Sequence, residues 1–87
     1  MNIAIASDLS GFPLKAEITK HLQEQGYEVL DFGIESAENP QPYFIQAPKV
    51  AGAIQEGKAE KGILICGTGQ GMAIVANKYK GIYACVV

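Results

Sequence analysis

Short apolar runs that alternate with amphipathic stretches constrain the fold of this 87-residue chain more than any other feature. Four runs have the length and composition of strands, at residues 3–6, 27–32, 62–66 and 82–87. The third run is apolar throughout, which is typical of a strand buried on both faces of a parallel sheet. The alternation predicts βαβ units and therefore a doubly wound three-layer α/β/α sandwich with a parallel sheet (Rossmann-like).

The segments between these runs have the apolar spacing of helices. Leu14, Ile18 and Leu22 occur at every fourth position before Gly26. A second helix is predicted over about residues 47–57, with Pro48 in its first turn, and a third over about residues 72–79. The chain is therefore expected to form one domain, 1–87, of about four strands and three helices. Because the last strand lacks a covering helix, another subunit is expected to cover it, or the polypeptide to continue.

Composition and charge exclude several classes of function. A net charge of −2 argues against a nucleic-acid binder, which needs a basic face. All seven basic residues are lysines, so this chain cannot supply a bidentate arginine clamp for a phosphate. No apolar run approaches the roughly 18 residues of a membrane span. Two cysteines without paired spacing favour a reducing cytoplasm over a disulfide scaffold.

The carboxyl ends of the predicted strands are the places where an open parallel sheet binds its ligand. They carry Asp8, residues 31–33 and Cys66. Cys66 is followed by glycines at positions 67, 69 and 71 and then by a predicted helix. This arrangement places a thiol beside several backbone N–H groups and a helix N-terminus, which favours the thiolate. The same N–H groups can stabilise an oxyanion that forms next to the sulfur.

Residue types alone leave two interpretations of Cys66 open: a buried structural thiol, or an acid/base or nucleophile that acts on a small ligand. Other familiar sites do not fit the loop. Met72 stands where a low-molecular-weight tyrosine phosphatase needs arginine, and no lysine completes a Walker loop. One histidine cannot assemble a zinc site with Cys66. Cys85, in the middle of an apolar run, is interpreted as a structural thiol.

Several motifs together resemble the family of ribose-5-phosphate isomerase B and galactose-6-phosphate isomerase (RpiB/LacA/LacB). The chain has ICGTGQGM at residues 65–72, IAIASD at residues 3–8 and GYEVLDFG at residues 26–33. The resemblance extends over the whole chain. It implies an aldose–ketose isomerase that moves a proton of an open-chain sugar phosphate through a cis-enediolate, with no metal or organic cofactor.

The resemblance also implies roles for individual residues. Cys66 would be the base that moves the proton between C1 and C2, and Thr68 would help to orient the sugar. Asp8 would accept hydrogen bonds from sugar hydroxyls, and the glycine loop would hold the enediolate oxygens. The substrate-binding residues implied in this way are Asp8, Leu9, Tyr43, Gly67, Gly69, Gln70 and Gly71.

The chain departs from the family's pattern at three of its positions: Leu9 replaces a histidine, Pro42 an aspartate and Tyr83 an arginine. The family also continues past the fourth strand, with a ring-opening histidine, phosphate-binding arginines, another strand and helices used in dimerisation. The resemblance thus implies that this chain lacks the family's C-terminal strand and helices. His21 and Lys15 are interpreted as solvated residues of the first helix.

Three functional hypotheses remain open. The first is an isomerase of the ribose 5-phosphate or galactose 6-phosphate class. The second is a truncated, catalytically incomplete paralogue that binds a sugar phosphate or a partner subunit without turnover. The third is a redox-sensing thiol protein. The expected partners are a small-molecule sugar phosphate and a second copy of the chain in a homodimer or larger homo-oligomer, or a different partner subunit, without nucleic acid or membrane.

Overall fold

The computed structural model describes residues 1–8, 10–32, 43–67 and 70–86. Strands and helices alternate along these residues in the order β1 (Asn2–Ser7), α1 (Phe12–Glu24), β2 (Glu28–Asp31), α2 (Tyr43–Gln55), β3 (Lys61–Ile65) and α3 (Gln70–Ala76). The strands form one parallel sheet in the order β2-β1-β3. The predicted α/β class with a parallel sheet is confirmed.

The central strand β1 is buried on both faces. Ala4 and Ala6 belong to a core cluster that contains Val50 and Ala53 of α2. Ile5 points to the opposite face and lies in register with Asp31 of β2. Since Asp31 is paired with a residue of α1, this second face is the one that α1 covers. Even-numbered residues of β1 therefore face α2, and odd-numbered residues face α1.

An ion pair between a buried lysine and a partly exposed aspartate joins helix α1 to β2. Nζ of Lys15 lies 2.9 Å from both Oδ1 and Oδ2 of Asp31, and only 2% of Lys15 is exposed. The same ammonium lies 5.2 Å from the centroid of the Phe12 ring. The interpretation of Lys15 as a solvated residue is wrong, because a counter-charge on the neighbouring strand lets a lysine enter the interior. His21 is exposed, as predicted.

Two helices begin earlier than the apolar spacing indicated. Helix α2 starts at Tyr43, so Pro48 lies inside the helix and not in its first turn. Helix α3 starts at Gln70 and ends at Ala76. In both cases the helix already includes residues that precede the first position of the apolar stripe, which the spacing does not mark, and Pro48 is accommodated within α2. No helix in the described ranges is long and apolar enough to cross a membrane.

Residues 82–86 do not form the fourth strand that the sequence indicated, and the sheet described above has three strands. Nδ2 of Asn77 donates to the carbonyl oxygen of Ala84 at 2.9 Å, and the N–H of Ala84 donates to Oδ1 of Asn77 at 2.8 Å. This side-chain pairing occupies the two backbone groups that a neighbouring strand would use. A largely apolar cleft of about 820 Å³ lies between this segment and β3. The prediction of a fourth strand is wrong because an apolar run does not specify its hydrogen-bond partner.

Candidate functional site

The carboxyl ends of β1 and β3 lie side by side. Ser7 is in register with Ile65, and the N–H of Asp8 donates to the carbonyl oxygen of Ile65 at 3.1 Å. Asp8 and Cys66 each follow one of these paired residues. The structure therefore brings these two predicted site residues together at one edge of the sheet, where a parallel sheet binds its ligand.

Asp8 organises the turn between β1 and α1. Its Oδ1 accepts hydrogen bonds from the N–H of Gly11 at 2.9 Å and from Oγ of Ser10 at 2.8 Å. The carboxylate thus closes the turn that leads into α1, which begins at Phe12, a role that the sequence interpretation did not assign to it. In the described part of the chain, its second oxygen has no hydrogen-bond partner and remains available to a ligand.

The β1–α1 turn packs directly on the end of β3 because residue 11 is glycine. A Cβ built on Gly11 would lie 2.7 Å from the carbonyl oxygen of Ile65 and 2.6 Å from its Cγ2. The φ angle of Gly11 is −90°, which other residues adopt easily, so the requirement for glycine is steric. Oγ of Ser10 also lies 3.5 Å from the position of a Cβ on Gly67. The turn that Asp8 organises is therefore in contact with the residues that flank Cys66.

Cys66 is a partly exposed thiol immediately after β3. Gly67 and Gln70 are exposed and Gly71 is half-buried. Helix α3 begins at Gln70, so the glycine loop leads into a helix as predicted. Partial exposure favours the interpretation of Cys66 as a thiol that reaches a ligand. Cys85 is exposed, so its interpretation as a buried structural thiol is wrong.

Several predicted site residues lie outside the described residues. These are Leu9, Thr68 and Gly69, together with the side chain of Tyr43. Helix α2 begins at Tyr43, whose backbone position is described. Because α2 connects the carboxyl end of β2 to the start of the parallel strand β3, its first turn lies at the same edge of the sheet as Asp8 and Cys66.

Sequence reasoning missed Gln46, which lies in the first turn of α2. Gln46 is 0% exposed, and neither Nε2 nor Oε1 has a hydrogen-bond partner among the residues that the structure describes. Its position supplies a signal, because Gln46 follows Tyr43 by three residues and precedes Val50 by four. A polar residue at that spacing interrupts an apolar helical stripe.

Charged groups at this edge come from both helices that flank the sheet. Lys15 of α1 is engaged with Asp31, and Nζ of Lys49 of α2 lies 3.5 Å from the carbonyl oxygen of Phe32. A lysine provides a point charge and not the planar fork of an arginine. Among the described residues, no group of three or more His, Cys, Asp or Glu side chains is arranged to hold a metal ion.

Comparisons with known proteins show which family this chain resembles in sequence. Residues 3–87 match a family model described as Ribose/Galactose Isomerase. The chain is 54% identical over 84 residues to the 4-deoxy-4-sulfo-D-erythrose isomerase of Clostridium sp. (strain MSTE9), covering 97% of this chain and 53% of that protein. It is 49% identical to the ribose-5-phosphate isomerase B of Escherichia coli (strain K12), with coverage of 97% and 56%. For the D-erythrulose-4-phosphate isomerase of Pectobacterium atrosepticum, the identity is 47% and the coverage 97% and 55%.

Solved structures agree with these sequence relatives. The ribose-5-phosphate isomerase B of Clostridium thermocellum superposes with a TM-score of 0.91 at 47% identity, over 95% of this chain and 55% of that one. The ribose-5-phosphate isomerase B of Mycoplasma genitalium with bound ribulose-5-phosphate gives a TM-score of 0.84 at 41% identity, over 92% and 53%. The chain thus spans about half the length of the curated relatives and structures that it matches.

Proposed function

Because the chain belongs to the ribose/galactose isomerase family, we propose that it catalyses the aldose–ketose isomerisation of a small sugar with a terminal anionic group. The observation that supports this most directly is the position of Cys66. Cys66 is partly exposed and follows β3 immediately, and its neighbour Ile65 packs against the turn that Asp8 and Gly11 form. A base at the carboxyl edge of a parallel sheet has access to a ligand in the usual binding crevice.

The proposed chemistry needs a base and a set of hydrogen-bond donors and no oxidant. The Cys66 thiolate takes the proton from C2 of the open-chain aldose, the electron pair of that C–H bond forms a C1–C2 double bond, and the π pair of the C1 carbonyl moves to O1. A proton moves from O2 to O1, and the thiol returns its proton to C1, which leaves a carbonyl at C2. Backbone N–H groups of residues 67–71 would stabilise the enediolate oxygens in the intermediate.

Other parts of the site would bind and orient the sugar. In this proposal the second carboxylate oxygen of Asp8 accepts a hydrogen bond from a sugar hydroxyl, and Thr68 helps to orient the carbonyl end. Leu9 and Tyr43 would complete the pocket. The proposed assembly is a homodimer or larger homo-oligomer. The proposed compartment is a reducing cytoplasm, because the two cysteines lack the spacing of a disulfide scaffold.

The relatives suggest which substrates to compare. Their names give ribose 5-phosphate, D-erythrulose 4-phosphate and 4-deoxy-4-sulfo-D-erythrose, which share an α-hydroxycarbonyl unit and a terminal anion. Ribose 5-phosphate, a pentose, is longer than D-erythrulose 4-phosphate, a tetrose, by one hydroxymethylene group. Galactose 6-phosphate extends the series by another carbon and tests the second branch of the family.

The decisive experiment is proton exchange in deuterated water. The protein is incubated with each of the four sugars, and mass spectrometry and NMR measure deuterium at C1 and C2. We expect exchange with at least one sugar and a loss of about a hundredfold or more in Cys66→Ala, because general-base catalysis contributes about 10²–10⁴. Cys85→Ala is the matched control, since that thiol is exposed and lies on the C-terminal segment. Equal exchange by the wild type and Cys66→Ala would exclude Cys66 as the base.

A second candidate function is binding of the sugar without turnover. It is favoured by Leu9 in place of the family's histidine and by the absence of arginine from the chain. In the same experiment this function gives sugar binding, measured by calorimetry, with no deuterium incorporation in any of the four sugars.

A further inference from the structure

We propose that the carboxamide of Gln46 binds a hydroxyl group of the sugar and so helps to determine which sugar the protein accepts. This inference rests on the proposed function, because it assigns a substrate contact to the same site. It concerns a residue that neither a motif nor the pattern of the glycine loop singled out.

The first observation is the burial of a polar side chain in an apolar stripe. Gln46 is fully buried, and it is among the largest side chains that are completely enclosed. The other buried residues of α2 on this stripe are small or apolar: Ala47, Val50, Ala51 and Ala53. A glutamine at such a position costs stability relative to an apolar side chain of the same size unless its amide is hydrogen-bonded.

The second observation is that this amide has no such compensation. Neither Nε2 nor Oε1 of Gln46 finds a partner within the described part of the chain. Buried polar atoms in folded proteins are almost always paired, and each exception calls for an explanation such as a bound water, an ion or a catalytic role. Both ends of the same carboxamide are unpaired here, which points to a polar group that binds both as a donor and as an acceptor.

The position of Gln46 along α2 places it near the carboxyl end of β3, where the proposed site lies. A Cβ on Gly62 of β3 would meet the side chains of Val50 and Ile54, so this part of α2 lies over the start of β3. Gln46 precedes Val50 by one helical turn, about 6 Å along the axis. That distance equals about two residues of a strand. Gln46 is therefore level with about Leu64, near the end of β3 and two residues before Cys66.

Cys66 and Gln46 also lie on the same face of the sheet, the face that α2 covers. Gly62 and Leu64 of β3 face α2, as shown by the Gly62 contacts and by the packing of Leu64 on the core cluster of Val50. Cys66 continues this alternation at the next even position. The amide and the thiol thus belong to the interface between the sheet and α2, at the same end of the strands.

The chemistry of the amide selects a hydroxyl over the terminal anion. A carboxamide offers two donors and one acceptor oxygen, and a sugar hydroxyl both donates and accepts. A phosphate or sulfonate only accepts at neutral pH and binds better to ammonium groups or backbone N–H groups. The hydroxyl-bearing carbons that follow the reacting centre are therefore the part of the sugar that Gln46 would contact.

The test replaces the amide with an apolar side chain of nearly the same size. In Gln46→Met the unpaired polar atoms are removed from the interior, so we expect a melting temperature at or above that of the wild type. We expect kcat/KM for the preferred sugar to fall by about ten- to a hundredfold, mainly through a higher KM, because the sugar hydroxyl loses its partner on binding. The matched control is Gln55→Met on the same helix, whose amide is exposed and donates to the carbonyl oxygen of Lys80 at 2.8 Å. It should leave kcat/KM within about twofold.

A higher melting temperature with unchanged kcat and KM would overturn the inference and leave Gln46 as a structural residue. If Gln46→Met does not fold, the wild-type protein supplies the test by NMR. Addition of ribose 5-phosphate should shift the side-chain NH₂ resonances of Gln46; shifts elsewhere without any at this amide would overturn the inference. Failure of the proposed function is separate, since it would appear as an absence of deuterium exchange in the wild type.

Discussion

The β1–α1 turn at residues 8–11 and the C-terminal segment at residues 82–86 use the same local device with different results. In the turn, Asp8 accepts a hydrogen bond from the N–H of Gly11. In the C-terminal segment, the amide of Asn77 pairs with both backbone groups of Ala84. Each segment is thus shaped by one short polar side chain that binds nearby backbone. Of these two segments, only the turn is also hydrogen-bonded to and packed against β3.

The difference lies in the backbone contact with the sheet. The N–H of Asp8 continues the hydrogen bonds between β1 and β3, and Gly11 lets α1 start against Ile65. The C-terminal segment leaves Tyr83 96% exposed and is separated from β3 by the apolar cleft. A side chain that binds nearby backbone is therefore enough to shape a loop, whereas a loop that is held against a strand also needs direct backbone contacts with that strand.

The largest expected effect comes from breaking the ion pair between Lys15 and Asp31, which joins α1, the helix after the β1–α1 turn, to β2. In Asp31→Asn the free energy of unfolding should fall by about 2–4 kcal/mol, because the carboxylate that balances a nearly enclosed ammonium is lost. The Lys15 side chain is 3% exposed and that of Asp31 is 42% exposed. Lys15→Met should therefore cost about 1 kcal/mol or less, since water can solvate the remaining carboxylate. Urea unfolding followed by circular dichroism measures both.

The control for this pair is Lys58→Met. Lys58 pairs with Glu56 at 2.9 Å, and both side chains are more than half exposed. A surface pair contributes about 0–1 kcal/mol, so this variant should be near wild type. Equal losses in Asp31→Asn and Lys15→Met would contradict the view that burial of the ammonium dominates the cost.

The next effect tests the contact between the turn and β3. Gly11→Ala should lower the free energy of unfolding by about 1–3 kcal/mol, since the new methyl group overlaps backbone atoms of Ile65. It should also lower the rate of deuterium exchange, because the turn moves away from Cys66. Gly52→Ala, in α2 with open space around its Cβ position, should instead gain about 0.5–1 kcal/mol. Thermal unfolding and the exchange assay check both variants. A Gly11→Ala protein as stable as Gly52→Ala would show that the contact with Ile65 yields easily.

The smallest effect concerns the C-terminal segment. Asn77→Ala removes two hydrogen bonds to Ala84 in an exposed setting, which should cost about 0.5–1.5 kcal/mol. Hydrogen exchange at the Ala84 amide should accelerate, whereas protection of the Asp8 and Gly11 amides should stay as in the wild type. Lys78→Ala, next to it and exposed, is the control. Loss of protection in the β1–α1 turn would mean that the two segments are coupled.

Much of the fold and part of the site followed from local patterns. The apolar runs predicted β1, β2 and β3, and their alternation with helices predicted the parallel sheet. The same patterns placed Asp8 and Cys66 at the carboxyl ends of their strands, and the hydrogen bond from the N–H of Asp8 to the carbonyl oxygen of Ile65 joins these two strand ends. These predictions succeeded because apolar period, chain direction and strand ends are properties of short stretches.

Other features depended on partners that are distant in the sequence, and only the tertiary structure decided them. Lys15 is buried because Asp31 lies opposite it, 16 positions away. Residues 82–86 have the composition of a strand, yet Asn77 takes the backbone groups of Ala84. Gln46 is 0% exposed, and its amide has no hydrogen-bond partner among the described residues. Local sequence specifies what a segment prefers, whereas burial and pairing are settled by the segments that pack around it.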